Sequence, residues 1–158
     1  MLKELLTDLG LTACPPFFQD RQFVLDVVGG ATVWLVAWAV FPDFFASPTR
    51  QLAVLLSLIL WQPLLEELLF RGVLQGQLGL RSWWREKHFG ISRANLATSF
   101  LFVLGHMFYH APFWALAVFV PSLLFGHFRE RHASVYPALA LHVYYNAGYF
   151  LIGLFRTG

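Results

Sequence analysis

Residues 50–79 read RQLAVLLSLILWQPLLEELLFRGVLQGQLG. The first half is almost wholly apolar, and the second half stays apolar on every turn while admitting Glu66, Glu67 and Arg71. A helix crosses the hydrocarbon core of a bilayer with about 20 apolar residues, so the stretch is long enough to span. Charges inside lipid are expensive, and each needs a reason. On a helix Glu67 and Arg71, four apart, share a face, and their pairing offsets two buried charges with one contact. Glu66 lies about 100° away around the helix and lacks Arg71 as a direct partner. A carboxylate left in low dielectric suits a general base. One glutamate therefore reads as structural and the other as chemical, although spacing alone does not choose between them.

The rest of the chain shares this solvent. Of 158 residues, 58% are hydrophobic and 13% charged, against about a quarter charged in a soluble domain. Mean hydropathy is +0.59. A water-soluble domain of this size could not hide so much apolar surface. The sequence predicts an all-α fold: a polytopic transmembrane helix bundle of about five spans, in one domain over residues 1–158, with a short N-terminal interfacial helix. Leu2, Leu5, Leu6 and Leu9 recur at helical spacing among charges, and Pro15 and Pro16 end that surface helix and its connector. Spans are expected at about residues 22–46, 50–79, 94–110, 112–129 and 134–156. Pro121 should kink the fourth, and Pro137 fits the first turn of the fifth.

Five spans put the termini on opposite sides. Lys3, Arg21, Arg81, Arg85, Lys87, Arg93, Arg129 and Arg131 fall on the N-terminal side, Arg50 and Arg156 on the other. The positive-inside rule then places the N-terminus in the cytoplasm of a multi-pass cell-membrane protein. Trp83 and Trp84 beside basic residues read as an interfacial segment. A net charge of +2 gives no basis for nucleic-acid binding. The start of the chain lacks a signal-peptide pattern, and the single Cys14 excludes an internal disulfide.

Further polar residues punctuate the apolar runs. His106 stands in the third span; His142 and Asn146, four apart on one helical face, stand in the fifth. Both of the latter can donate hydrogen bonds, which suits an oxyanion formed at a carbonyl under attack. At about 1.5 Å per residue, Glu66 and His106 lie about 18 Å from the cytoplasmic ends of their spans and His142 about 12 Å. Groups at similar depth on separate helices are expected to face one another, since facing lipid would cost each several kcal/mol.

In order, these are E-E-x-x-x-R at Glu66, Glu67 and Arg71, F-x-x-x-H at Phe102 and His106, and H-x-x-x-N at His142 and Asn146. The ordered set resembles the CAAX-protease and bacteriocin-processing (CPBP) family of glutamic-type intramembrane proteases. The resemblance implies that Glu66 and His106 activate a water for attack on the scissile carbonyl. It also implies that His142 and Asn146 stabilise the oxyanion, while Glu67, Arg71 and Phe102 support the site. No cofactor or metal is implied. The partners would be the bilayer and a membrane-anchored substrate: a C-terminal CAAX-like tail, a sorting signal or a peptide precursor. Eukaryotic CAAX endopeptidases have more spans, so this short chain points as readily to the latter two.

Three rival readings remain. His106 and His110 have zinc-motif spacing, but no Glu follows His106; zinc held by Glu66, His106 and His142 is a separate option. A non-proteolytic scaffold or bacteriocin-immunity protein could keep the motifs for packing. A proton-coupled transporter would also use intramembrane Glu and His, though no internal repeat supports it. His88, His127 and His132 read as headgroup or solvent contacts, and Tyr144, Tyr145 and Tyr149 as packing or belt aromatics.

Overall fold

The computed structural model describes residues 2–41, 51–109 and 111–156. Asp43, Arg50, His110 and the side chain of Arg156 lie outside the described residues, as does the end of the first expected span. The elements are α1 (Leu2–Asp8), a 3-10 turn (Phe17–Gln19) and α2 (Arg21–Val40). A composite helix, α3 (Leu52–Gly79), follows. Then come α4 (Ser82–Arg85), β1 (Lys87–His88), β2 (Ile91–Ser92), α5 (Arg93–His106), α6 (Pro112–Ala117), α7 (Phe119–His132) and α8 (Tyr136–Arg156). The chain divides into two compact units, one of Met1–Pro15 with Glu66–Leu139 and one of Pro16–Leu65 with Ala140–Gly158.

Among the described residues, three helices are long and apolar enough to cross a membrane: Arg21–Val40, Leu52–Gly79 and Pro112–His132. The expected count of about five is thus met by three of the described helices on length and apolarity. The shortfall at the third position is physical. The 14 residues of α5 reach about 21 Å at 1.5 Å per residue, short of the roughly 30 Å hydrocarbon core. The fifth, α8, has 21 residues and carries His142, Asn146 and several tyrosines among its apolar ones.

Local chemistry explains the element boundaries. The Asp20 side chain caps α2 by accepting from the Gln22 N–H at 3.0 Å. Only Phe23 of α2 is buried, where it meets Phe17 edge-on with ring centroids 4.9 Å apart. Gly10 closes α1 at φ +72°: its N–H donates to the Thr7 carbonyl, and that of Leu11 to the Leu6 carbonyl, a Schellman cap. The span 112–132 is broken at Val118 because Pro121 brings no N–H to the Ala117 carbonyl. That is the expected kink, resolved into two helices. The four-residue hairpin β1–β2 was not foreseen in an all-α chain. It closes on Phe89 and Gly90, both at positive φ, the backbone of a two-residue turn that follows strand twist.

In the first unit α5 buries Ala94, Asn95, Thr98, Ser99, Phe102 and Val103 along one face. Ser92 caps it by accepting from the Asn95 N–H at 2.9 Å. Asn95 Nδ2 donates to the Leu123 carbonyl of α7 at 2.9 Å, and a Cβ at Gly126 would overlap the same carboxamide. The α5–α7 contact thus depends on a residue without a side chain. Gly126→Ala should lower stability by about 1–3 kcal/mol through overpacking, read as a lower thermal midpoint in detergent. In an Asn95→Ala background the Gly126→Ala penalty should shrink, and a fully additive pair would remove this account.

Candidate active site

The first unit holds Glu66, Glu67, Arg71, Phe102 and His106. Glu67 and Arg71 are both fully buried, with Arg71 Nη1 3.3 Å from Glu67 Oε1. The i,i+4 spacing read from the sequence is therefore realised as an ion pair. Arg71 Nη2 also donates to the Ser122 hydroxyl at 2.7 Å and the Ser122 carbonyl at 3.0 Å. Its guanidinium lies over the rings of Phe102 and Phe125, 4.7 and 5.4 Å from their centroids. Those π faces offer the cation electrostatic contact where aligned acceptors are few. Residues Leu68–Gln75 around Arg71 are π-helical, a winding often found at functional sites.

Phe102 carries the link onward. Its ring packs edge-on against Phe70 and tilts against His106, with centroids 5.1 and 4.4 Å apart. His106 Nδ1 lies 2.9 Å from the Phe102 carbonyl, one turn back on α5. A carbonyl only accepts, so Nδ1 carries a proton, and in the neutral ring Nε2 presents the lone pair. His106 and Glu66 are both half-buried, in contrast to Glu67.

The second unit holds His142 and Asn146 on α8. His142 is buried. Asn146 Nδ2 donates to the Leu58 carbonyl at 2.9 Å. The sequence reading did not foresee this bond, and its cause is local. Residues Ser57–Trp61 are π-helical, with the Gln62 N–H bonding back to the Ser57 carbonyl. The Leu58 carbonyl would next require an N–H from residue 63, which is proline. Asn146 fills that gap. Around it the Tyr144 and Tyr145 hydroxyls donate to the carbonyls of Val27 and Asp26, at 2.9 and 3.3 Å. Their rings pack where Gly30 has no side chain, so these tyrosines pack as read.

Other residues were overlooked. Ser122 and Phe125 complete the surroundings of Arg71. The fourth span was expected to end at about residue 129, yet α7 continues to His132 and Arg129 is buried. Its guanidinium donates to the carbonyls of Asp8 at 2.8 Å, at the end of α1, and of Arg71 at 3.1 Å, within a π-helical stretch, serving backbone rather than solvent. His132 is half-buried and stacks on Phe128, whereas His88 is exposed as expected. The available signal was the set of small polar residues inside apolar runs (Asn95, Ser99 and Ser122), each of which needs a partner at that depth. Among the described residues, no group of three or more His, Cys, Asp or Glu is placed to hold a metal ion.

Helices able to cross a bilayer, one of them carrying a buried carboxylate–guanidinium pair, define a membrane protein with ionisable groups inside an apolar helix. A family model, type II CAAX prenyl endopeptidase Rce1-like, matches residues 48–148, and the chain belongs to that family. The match bears out the resemblance read from the motifs and places the chain among membrane proteases. All seven motif residues lie inside it. No curated protein and no solved structure matches the chain.

Two outcomes follow from this geometry. Glu67→Gln, which removes the carboxylate paired with the buried Arg71, should cost about 3–5 kcal/mol, more than Glu66→Gln at a half-buried carboxylate. Asn146→Ala should cost about 1–3 kcal/mol by orphaning the Leu58 carbonyl. Pro63→Ala supplies an N–H to that carbonyl, so the Asn146→Ala penalty should fall in its background, as a double-mutant cycle of unfolding free energies would register.

Proposed function

We propose that the chain is a glutamic-type intramembrane endopeptidase that hydrolyses a peptide bond of a membrane-anchored substrate. The substrate classes are a C-terminal CAAX-like tail, a sorting signal and a peptide precursor. Glu66 takes a proton from a water whose oxygen attacks the scissile carbonyl, and His106 holds that water through Nε2. The carbonyl oxygen becomes an oxyanion, to which His142 and Asn146 donate. The tetrahedral species collapses, the C–N bond breaks, and the amine leaves with the proton returned from Glu66. Glu67, Arg71 and Phe102 hold the acid-bearing helix and the His106 ring. The reaction takes place in the cytoplasmic half of the bilayer, with the N-terminus in the cytoplasm.

The observation that supports this reading best is the division of labour inside Glu66-Glu67. Glu67 is buried against Arg71, while its neighbour is half-buried and one-quarter turn away. The family match supplies the reaction class. In lipid nanodiscs with a membrane-anchored peptide, Glu66→Gln and His106→Ala should each reduce cleavage by about 10²–10⁴-fold with folding retained. His142→Ala should reduce it by about 10²–10³-fold. Activity should survive a strong chelator; its loss would favour the metal-dependent alternative. Full activity in Glu66→Gln would favour a scaffold or immunity role.

A further inference from the structure

We infer that the first unit carries a binding site for a phosphate-bearing lipid headgroup, separate from the motif residues. A cavity of about 410 Å³ opens among Asp8, Gly76, Arg85, Lys87, Arg129 and Glu130. Two apolar helices end there: Leu52–Gly79 contributes Gly76 and Gly79, and Pro112–His132 contributes Arg129 and Glu130. The ends of membrane-crossing helices are where headgroups lie. The neighbouring rim is interfacial too. Trp83 is exposed, packs edge-on against Trp84, and has the Arg93 guanidinium 4.2 Å above its ring.

The inner wall is already committed. Arg129 serves the Asp8 and Arg71 carbonyls. Gln75 Nε2 donates to the Gly126 carbonyl at 3.0 Å and to Glu130 Oε1 at 2.9 Å, and Ser92 donates to the same carboxylate oxygen. The mouth is not so committed. Lys87 is half-exposed and 3.5 Å from Glu130 Oε2. Arg85 is exposed and makes no ion pair among the described residues. Three cations against two carboxylates leave the cavity net positive. Glycine keeps it open: nothing lies within 4 Å of where a Cβ would stand at Gly79. An anionic group fits the mouth at Arg85 and Lys87, with acyl chains left along the span ends. The chemistry required is a phosphate mono- or diester, supplied by an anionic phospholipid or by a soluble phosphate.

The test uses the full-length protein in nanodiscs of phosphatidylcholine, with and without phosphatidylglycerol. Phosphatidylglycerol should raise the thermal midpoint of the wild type. The shift should be lost in Arg85→Gln/Lys87→Gln and in Gly79→Leu, which fills the cavity without changing charge. Each basic residue near an anionic surface contributes about 1 kcal/mol, and 1.4 kcal/mol is tenfold. The double variant should therefore bind the lipid roughly thirtyfold more weakly. Inorganic phosphate in plain phosphatidylcholine discs separates the sources: a matching shift, lost in both variants, assigns the site to a soluble phosphate. Equal phosphatidylglycerol shifts in wild type and both variants would reduce the effect to general surface attraction and overturn the site. Should a variant fail to fold, native mass spectrometry of the wild type decides. One phosphatidylglycerol retained per chain in competition with phosphatidylcholine supports the site, and no preference removes it.

Discussion

A guanidinium with no exposed surface, in a helix otherwise fit for lipid, constrains everything packed around it. Arg71 cannot shed its proton, so its charge must be met by protein. Glu67 supplies the counter-charge from one turn earlier on the same helix. Ser122 supplies a hydroxyl and a carbonyl from α7, Phe102 a ring from α5, and Phe125 a second ring from α7. Three segments of the first unit are thereby brought to one point, and each is held there by something other than apolar burial. That matters in a bilayer, where lipid tails solvate a leucine as well as a neighbouring helix does, and apolar contact alone does not specify how helices pack.

The helices themselves are irregular, and the irregularities are answered one by one. Backbone groups at membrane depth need partners within the protein. Pro63 leaves the Leu58 carbonyl without an N–H, and Asn146 provides one. The Arg71 carbonyl, within a π-helical stretch, receives the Arg129 Nε–H, while the other end of that guanidinium takes the Asp8 carbonyl at the end of α1. The close of α1 is tied down again where the Val135 N–H donates to the Gly10 carbonyl and the Ser134 hydroxyl to that of Ala13. Side-chain donors thus stand at the Leu58 and Arg71 carbonyls, where the winding departs from the regular ladder. The long polar side chains inside these apolar runs have a backbone use before they have a chemical one.

How much of this could be read from the sequence follows the reach of each interaction. The Glu67–Arg71 pair was legible because both partners lie on one helix and spacing fixes their face. So were the helical class, the membrane setting, the Pro121 break and the apolar helices at 22, 50 and 112. The surroundings of Arg71 were not, because Ser122 and Phe125 lie 51 and 54 residues downstream and meet it only once α7 has packed. The role of Arg129 was hidden for the same reason: a basic residue near a span end looks solvated until the carbonyls it serves are in place. Asn146 shows a subtler limit. Its spacing from His142 suggested an oxyanion donor, but the demand at Leu58 arises from a π-helical register that periodicity does not reveal. The length of α5 was overestimated because residues 107–109 extend the apolar pattern without extending the helix, whose cap lies at Met107.

Anchoring and chemistry need not compete at these residues. A carboxamide has two N–H donors, and one bond to the Leu58 carbonyl fixes the plane of the Asn146 amide, and with it the direction of the second N–H. In the same way the bond to the Phe102 carbonyl fixes the His106 ring and selects the nitrogen that bears the lone pair. Donors and acceptors held before substrate arrives cost no reorganisation when charge develops, and that is where electrostatic stabilisation of a transition state gains most. A proline in a span and a histidine bonded to its own helix, each a departure from regular winding, thus leave one N–H and one lone pair with fixed directions.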